Sequence, residues 1–266
     1  LLSGREPTLL QVLSYNFDVH VAFFSLPSKH ASTYTAMWRK FHWELPTGKD
    51  LTISILLLDY EIATHDGARI VFPGIILRGC RFHLGQSWWK RIYGSSKLRL
   101  AYYHTSTAIH LWLRSFFSLA YLKPEDVPST VNSLKNSSPS PECTKFAEYI
   151  ERTYVNSTQF PPSLWAWPLN DDIPTTTNGV ESYNSKQQME FYHAHPSIHQ
   201  VIKRICESQS LIVLKMRSIL NGETHKKEKN QEDLEENIKI ATHSFYTYNY
   251  LRPLQFLDAI AEEKAP

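Results

Sequence analysis

The sequence predicts an α/β fold that carries a mainly helical insertion. Residues 53–58 form an apolar run that is rich in strand formers and too short for a lone buried helix. Helical and strand patterns alternate up to residue 94, whereas residues 95–170 keep the helical period between proline-rich breaks. We therefore predict an α/β core at 1–94 and 171–220, a helical insertion at 95–170, and a charged linker with a C-terminal helix at 221–266.

Four short apolar segments predict the strands. Residues 9–15 and 19–26 are apolar and β-branched and are joined by a short turn, which predicts two paired strands. Residues 53–58 predict a buried central strand, and residues 75–77 predict a short strand after the intervening helix. This alternation of strand and helix is typical of an α/β unit.

Amphipathic spacing predicts the helices. The helix at 28–43 is expected to bury Tyr34, Met37, Trp38 and Phe41. The helix at 196–220 is expected to turn inward Ile198, Val201, Ile202, Ile205 and Leu211. An irregular segment at 160–168 is expected to dock through Trp165 and Trp167. Further helices are predicted at 60–71, through Trp88 to Ile92, and at 95–121, 127–134, 142–155, 177–192 and within 244–261.

Charge, cysteine content and hydropathy limit the kinds of partner that the chain is expected to have. The chain holds 28 Lys and Arg against 26 Asp and Glu, a formal net charge of +2, so binding to nucleic acid must come from a local patch. Cys80, Cys143 and Cys206 are widely spaced and odd in number, which argues for a reducing compartment rather than a disulfide framework. No leader and no apolar run near the ~18 residues of a membrane span is seen, so we expect no membrane partner.

Asp59 is the first candidate for chemistry, because it directly follows the central strand. A carboxylate at the carboxyl end of a buried strand projects into the crevice where open α/β sheets carry their sites. The alternative is that Asp59 caps the next helix, and the two roles can coexist. Glu61 could be a second acid in the crevice, or could face solvent near the helix N-terminus.

A series of short motifs runs in order over about residues 9 to 205. The motifs are Leu10-Gln11, Leu26-Pro27-Ser28-Lys29 with Tyr34, Asp59-Tyr60-Glu61, Phe72-Pro73, Gly79-Cys80-x-Phe82-His83-Leu84-x-Gln86, Pro124-Glu125-Asp126-Val127, Phe146-x-x-Tyr149-Ile150-Glu151-x-x-Tyr154, Phe160-Pro161 to Trp165, Thr177-Asn178-x-x-Glu181 and His195-Pro196-Ser197-Ile198. In this order they resemble the catalytic domain of Mutator-like element (MULE) transposases.

The resemblance implies an RNase H-like mixed sheet flanked by helices, with an all-helical insertion and a triad of two aspartates and one glutamate. Asp59 is similar to the second aspartate and Glu181 to the closing glutamate, which would make both catalytic and ligands of Mg²⁺ or Mn²⁺. The implied reaction is metal-dependent DNA strand cleavage and transfer in the nucleus, with double-stranded DNA and a second copy of the chain as partners. Alternatively, Glu181 completes a capping box with Asn178.

The first aspartate of the family has no counterpart in this sequence. The resemblance places it on the first strand, before Leu1, and no Asp precedes Asp18. We therefore expect a chain that lacks its first strand and one metal ligand and that is inactive as a transposase. The alternative is a non-catalytic nuclear protein that binds DNA or another protein and does not need the metal.

Cys80 and His83 form a Cys-x-x-His pair. A structural zinc needs four ligands, and the other two cysteines are isolated, so zinc is disfavoured. The resemblance implies a packing and positioning role beside the active site. A lone neutral histidine is more often structural, which is the default interpretation of His83.

Arg78, Arg81, Lys90 and Arg91 belong to the densest basic cluster of the chain. Aromatic residues are interleaved with them, and basic and aromatic side chains together suit phosphate contact and base stacking. We predict that these four residues contact DNA. The alternative is a helix whose long cationic side chains cover apolar surface while its tryptophans belong to the core.

Overall fold

A computed structural model of the protein describes residues 8–14, 17–44, 53–104, 107–169, 198–221, 229–248, 255–257 and 260. The described chain is mostly helical. In chain order its elements are β1 (Thr8–Ser14), β2 (Phe17–Leu26), α1 (Ala31–Glu44), β3 (Ile55–Leu58), α2 (Ile62–Val71), β4 (Ile76–Gly79), α3 (Arg81–Tyr93), α4 (Ser96–Tyr103), α5 (Ala108–Ser118), α6 (Val127–Asn136), α7 (Pro141–Ile150), α8 (Pro162–Trp165), α9 (Ile198–Leu220) and α10 (Lys229–His243).

The chain divides into two compact units. The first comprises Leu1–Leu77 and Asp172–Lys226, and the second comprises Arg78–Asp171 and Lys227–Pro266. The first division along the chain falls at 77–78. Helix α3 therefore belongs to the same unit as the helices that follow it. The domain boundary expected at 94–95 stays a prediction.

The strands form two separate pairs. β1 and β2 are an antiparallel hairpin that pairs Thr8 with Leu26, and β3 pairs with β4 in a two-stranded parallel sheet. The predicted RNase H-like mixed sheet is therefore wrong, because no such sheet is present in the part of the chain that the structure describes. An apolar run reveals a strand, but not the distant strand with which it pairs.

The first unit packs α1 against α2. The side chains of Tyr34, Met37, Trp38 and Phe41 are buried on α1, which confirms the predicted inner face. Trp38 Nε1 donates a hydrogen bond to the Thr64 carbonyl of α2 at 3.2 Å. The two helices cross at Gly67, where an added Cβ would lie only 2.9 Å from the backbone nitrogen of Thr35. Only glycine fits this crossing without a shift of backbone.

The second unit has an aromatic core. Trp88 and Trp165 are fully buried and meet edge to face, with ring centroids 5.5 Å apart. Trp165 Nε1 donates to the Tyr154 carbonyl at 3.1 Å. The N–H of Trp167 donates to the Ala120 carbonyl at 3.1 Å. These contacts confirm that the segment with the two tryptophans docks on the helical block.

The single helix predicted at 95–121 is wrong, because the structure divides it into α4 and α5. Thr107 is the N-cap of α5, and its hydroxyl oxygen accepts a hydrogen bond from the His110 N–H at 3.2 Å. Ser95 caps α4 in the same way, by accepting from the Leu98 N–H at 3.4 Å. Such caps satisfy amides that a helix start leaves without intrahelical partners, and so favour a new start.

Helix α9 differs from its predicted packing. Ile202 and Leu211 were expected to face inward, but they are 52% and 68% exposed. The predicted burial is wrong at these two positions, and the side chains of Ile198, Val201 and Ile205 lie outside the described part of the helix. None of the described helices is long and apolar enough to cross a membrane.

Cys80, Cys143 and Cys206 form no disulfide. Cys80 and Cys143 are buried, and Cys206 is exposed on α9. Burial raises the pKa of the Cys143 thiol above its ordinary value. The two buried thiols belong to the second unit and the exposed thiol to the first.

Candidate functional site

Asp59 lies directly after β3, and its side chain is exposed. Its Oδ1 accepts a hydrogen bond from the Glu61 N–H at 3.2 Å, and its backbone oxygen lies 2.5 Å from Nε2 of His65. The N-cap of α2 is Glu61, so Asp59 stabilises the turn before the helix rather than occupying the cap position. The end of the strand thus carries an exposed acid, Asp59, which is held by the turn to Glu61 and by the contact with His65.

Glu61 is fixed from the first helix. Tyr34 donates its phenolic hydrogen to Glu61 Oε2 at 2.8 Å. Burial, and then this hydrogen bond to a carboxylate, raise the pKa of Tyr34 to about 12. Tyr34 therefore remains a neutral donor at physiological pH.

His65 is buried on α2, next to the same turn. Burial lowers the pKa of His65 below its ordinary value, because a charged imidazole loses its hydration there. A carbonyl oxygen only accepts hydrogen bonds, so the contact with the Asp59 backbone assigns the proton of the neutral ring to Nε2. His65 is thus a neutral hydrogen-bond donor that holds the backbone of Asp59 in position.

The acids at this strand end would suit a hard divalent cation, since carboxylate oxygens are the ligands that Mg²⁺ and Mn²⁺ prefer. Within the described ranges, no group of three His, Cys, Asp or Glu residues could hold a metal ion. Glu181, the predicted partner of Asp59, lies outside the described residues. The described part of the site is therefore Asp59 with its supporting hydrogen bonds.

Cys80 and His83 lie at the start of α3 in the second unit. Cys80 is fully buried in the N-cap position, where its side chain makes no capping hydrogen bond. His83 is half-buried, and its ring meets that of Phe82 with centroids 5.8 Å apart. Both residues thus contribute to the packing around the beginning of the helix.

Arg78 and Arg81 stack on Trp167. Their guanidinium carbons lie 4.8 and 4.5 Å from the centroid of the Trp167 ring, and Arg81 also lies 4.4 Å from that of Tyr121. Arg81 donates to the Trp167 carbonyl, and Arg78 donates to the Ser163 carbonyl at 3.3 Å. Burial lowers the pKa of Arg78. The two residues therefore hold the segment around α8, a role that local sequence patterns do not reveal because the partners are 85 and 86 residues away.

Lys90 and Arg91 are exposed on α3. Lys90 Nζ donates to Gln86 Oε1 at 3.0 Å, and the guanidinium carbon of Arg91 lies 4.9 Å from the centroid of the Tyr149 ring. Both partners are neutral. Neither contact therefore offsets the positive charge of these two residues at the surface.

Helices α3 and α4 meet through stacked side chains. Trp89 stacks on Tyr93 with centroids 4.8 Å apart and rings inclined by 24°. The guanidinium carbon of Arg99 lies 4.8 Å from the centroid of the same Tyr93 ring. We call Trp89, Lys90, Arg91, Tyr93, Lys97 and Arg99 the α3–α4 surface.

The sequence segment that carries this surface has charge of one sign only. Between Gly67 and Pro124 the chain has nine Lys and Arg and no Asp or Glu. Since the formal net charge of the whole chain is +2, the remaining residues together have a formal net charge of −7. The signal is present in the sequence, but the acids of the other segments offset it in the whole-chain composition, so a prediction from net charge alone misses it.

A groove of about 450 Å³ opens beside α3. Aromatic rings form much of its lining, and three polar side chains join them. These residues are Phe82, Trp88, Trp89, Phe117, Arg81, Gln86 and Lys90. Phe82 is 44% exposed, so its ring is open to solvent.

No protein-family model, curated protein or solved structure matches the chain. The similarity of the ordered motifs to MULE transposases therefore stays a prediction.

Proposed function

We propose that this chain binds double-stranded DNA through the α3–α4 surface, as the core of a Mutator-like element transposase that acts in the nucleus. The observation that carries the proposal is the acid-free segment between Gly67 and Pro124, with its nine cationic residues. A basic patch releases counterions from phosphates, and this drives binding even when net charge is small. No acid of this segment repels the DNA, and Glu142 of α7, which lies at the surface, is paired with Lys97.

Lys90 and Arg91 are the residues best suited to contact phosphates. They are exposed and have neutral partners, whereas the charge of Lys97 is offset by Glu142, whose Oε1 lies 2.5 Å from its Nζ. Arg78 and Arg81 are engaged with Trp167. They contribute positive potential, and direct contact falls to Lys90 and Arg91, with exposed Arg99 on the Tyr93 ring beside them.

The motifs further support DNA strand cleavage and transfer as the ancestral reaction, with Asp59 and Glu181 as the metal ligands. Bound divalent ions in such sites stabilise both the attacking and the leaving oxygen. The exposed carboxylate of Asp59 fits this role, because the turn to Glu61 and the contact with His65 hold its backbone in place. A metal-ligating side chain on a backbone that is already held in place needs less rearrangement when the metal ion binds.

A second candidate is a non-catalytic nuclear protein that binds DNA or another protein. The hydrogen bonds at the end of β3 favour it. Glu61 accepts from Tyr34, and Asp59 accepts from a backbone N–H, so both acids already have a structural task. In this alternative the DNA surface is retained and the metal is dispensable.

The test of DNA binding uses two double variants of the full chain. K90A/R91A is expected to weaken binding to a labelled duplex, and to reduce the slope of log affinity against log salt by roughly 2, since each lost phosphate contact removes about one unit. Fluorescence anisotropy over a salt series measures both quantities.

The control is R39A/K40A, which removes an adjacent exposed Arg-Lys pair from α1 and therefore changes the total charge equally. It should leave the slope unchanged. Equal slopes for wild type and K90A/R91A would contradict the proposed surface.

A further inference from the structure

The groove beside α3 has the dimensions and lining of a site for a small aromatic group. Its volume of about 450 Å³ lies within the ~300–1,000 Å³ typical of ligand pockets. Phe82, Trp89 and Phe117 supply apolar ring surface, and the fully buried Trp88 is part of the same lining. A flat, apolar body would bury most surface against these rings.

The polar residues of the groove favour an anionic occupant. Lys90 is part of its lining, and its Nζ is held 3.0 Å from Gln86 Oε1, which also lines the groove. The surrounding segment has no Asp or Glu. An occupant with an aromatic body and a negative group therefore complements the groove in shape and charge.

The stacked residues extend this surface along α3 and α4. Trp89 lines the groove and stacks on Tyr93, which also carries the guanidinium of Arg99 above its ring. Aromatic and arginine planes in succession are how single-stranded nucleic acids are bound without sequence preference. In a nucleic acid strand that enters the groove, further bases would thus meet aromatic rings and further phosphates would meet cations.

We propose that the groove takes the base of an unpaired DNA nucleotide against Trp89, with the adjacent phosphate at Lys90. The inference rests on the proposed DNA-binding function and names the form of DNA that the same surface prefers. In an intact duplex the base faces are covered by neighbouring bases, so only a base that leaves the stack can enter. Leaving the stack costs least where the base has no partner.

The test compares two probes on the full chain. One is a paired duplex, and the other is the same duplex with one unpaired 2-aminopurine nucleotide. Wild type is expected to bind the second more tightly, by a factor on the order of 10, and to quench its fluorescence as the base stacks on the indole. Trp89→Leu should abolish both the preference for the unpaired probe and the quenching.

The matched control is Trp43→Leu, which removes a tryptophan that is 81% exposed on α1 and should change neither signal. Phe82→Ala, at an exposed ring of the groove, gives a second variant in case Trp89→Leu does not fold.

The outcomes separate the two proposals. Equal affinity of wild type for both probes, or a Trp89→Leu variant that retains preference and quenching, would overturn the groove inference, and the K90A/R91A salt series would still decide duplex binding. Binding of an acidic aromatic peptide that Trp89→Leu abolishes, without any effect on DNA, would assign the groove to a protein partner and contradict the inference. If neither probe binds, the DNA function itself fails.

Discussion

His65 and Asp59 show how single residues set the end of β3. The imidazole is buried and neutral, and its Nε2 proton points at the Asp59 backbone rather than at a carboxylate. Asp59 uses one carboxylate oxygen for the turn to Glu61. The arrangement fixes the backbone and leaves the carboxylate at the surface.

Acid should weaken the fold through His65. Its folded-state pKa is lowered from 6.5, so the unfolded chain binds the proton more readily, and stability is lost as pH falls through 6.5 toward the lower folded-state pKa. In urea unfolding, the free energy of unfolding is expected to fall more between pH 8 and pH 5 for wild type than for His65→Gln. His104→Gln, at an exposed histidine, should lose as much stability between the two pH values as wild type does. An equal loss in His65→Gln would contradict this assignment.

Asp59→Asn should lower the affinity of the full chain for Mn²⁺, because a neutral amide is a poorer ligand for a hard cation than a carboxylate. Electron paramagnetic resonance of free Mn²⁺ measures the affinity. Asp66→Asn is the control, since Asp66 is an exposed acid on the neighbouring helix that pairs with Arg69 at 3.4 Å. The same affinity for wild type and Asp59→Asn would remove Asp59 from the proposed metal site.

The sequence could indicate Asp59 as a candidate because the signal is local: an apolar run followed at once by an acid. It could not indicate that Tyr34 hydrogen-bonds Glu61, or that Arg81 stacks on Trp167, because these contacts join residues 27 and 86 positions apart. Side-chain identity and local spacing carry no record of such distant partners.

Helices and strands differ in how well the sequence predicts them. The buried face of α1 was correct because its 3.6-residue period is contained within one segment. The mixed sheet was wrong because β3 and β4 form their own pair, and sheet pairing is decided between segments. At Ile202 and Leu211 the sequence predicted the helix correctly, but both side chains are exposed, because the helical period does not tell whether another element covers them.

The crossing of α1 and α2 gives a paired prediction on two helical glycines. Gly67→Ala should lower the free energy of unfolding by about 1–3 kcal/mol, since the new Cβ would meet the Thr35 backbone nitrogen at 2.9 Å. Gly85→Ala should raise it by up to about 1 kcal/mol, because its Cβ would meet only the Phe117 ring at 3.7 Å and alanine favours helix. Urea unfolding monitored by circular dichroism measures both. A Gly67→Ala variant as stable as wild type would contradict the close crossing.

At the scale of the whole molecule, the second unit joins stretches that are distant in sequence. Tyr246 donates to Asp126 Oδ2 at 2.9 Å and accepts from the Lys123 N–H at 2.7 Å. Lys123 Nζ also lies 4.5 Å from the centroid of the Tyr246 ring. Burial, and then the hydrogen bond to Asp126, raise the pKa of Tyr246, so the phenol remains a donor.

Tyr246→Phe removes this hydroxyl and should lower the free energy of unfolding by about 1–3 kcal/mol, since one of its partners is charged. Hydrogen exchange should become faster around residues 244–248. Tyr103→Phe is the control, because that side chain is 62% exposed. Unchanged exchange in Tyr246→Phe would show that the hydroxyl does not hold the C-terminal residues.

The three cysteine thiols offer a direct way to watch one unit open. Thiolate reactivity follows exposure, so a maleimide dye should modify Cys206 of the native protein first. Cys80 and Cys143 would react only when the aromatic unit around Trp88 loosens. Counting modified sulfurs by mass spectrometry over time would then give the opening rate of that unit without any engineered label.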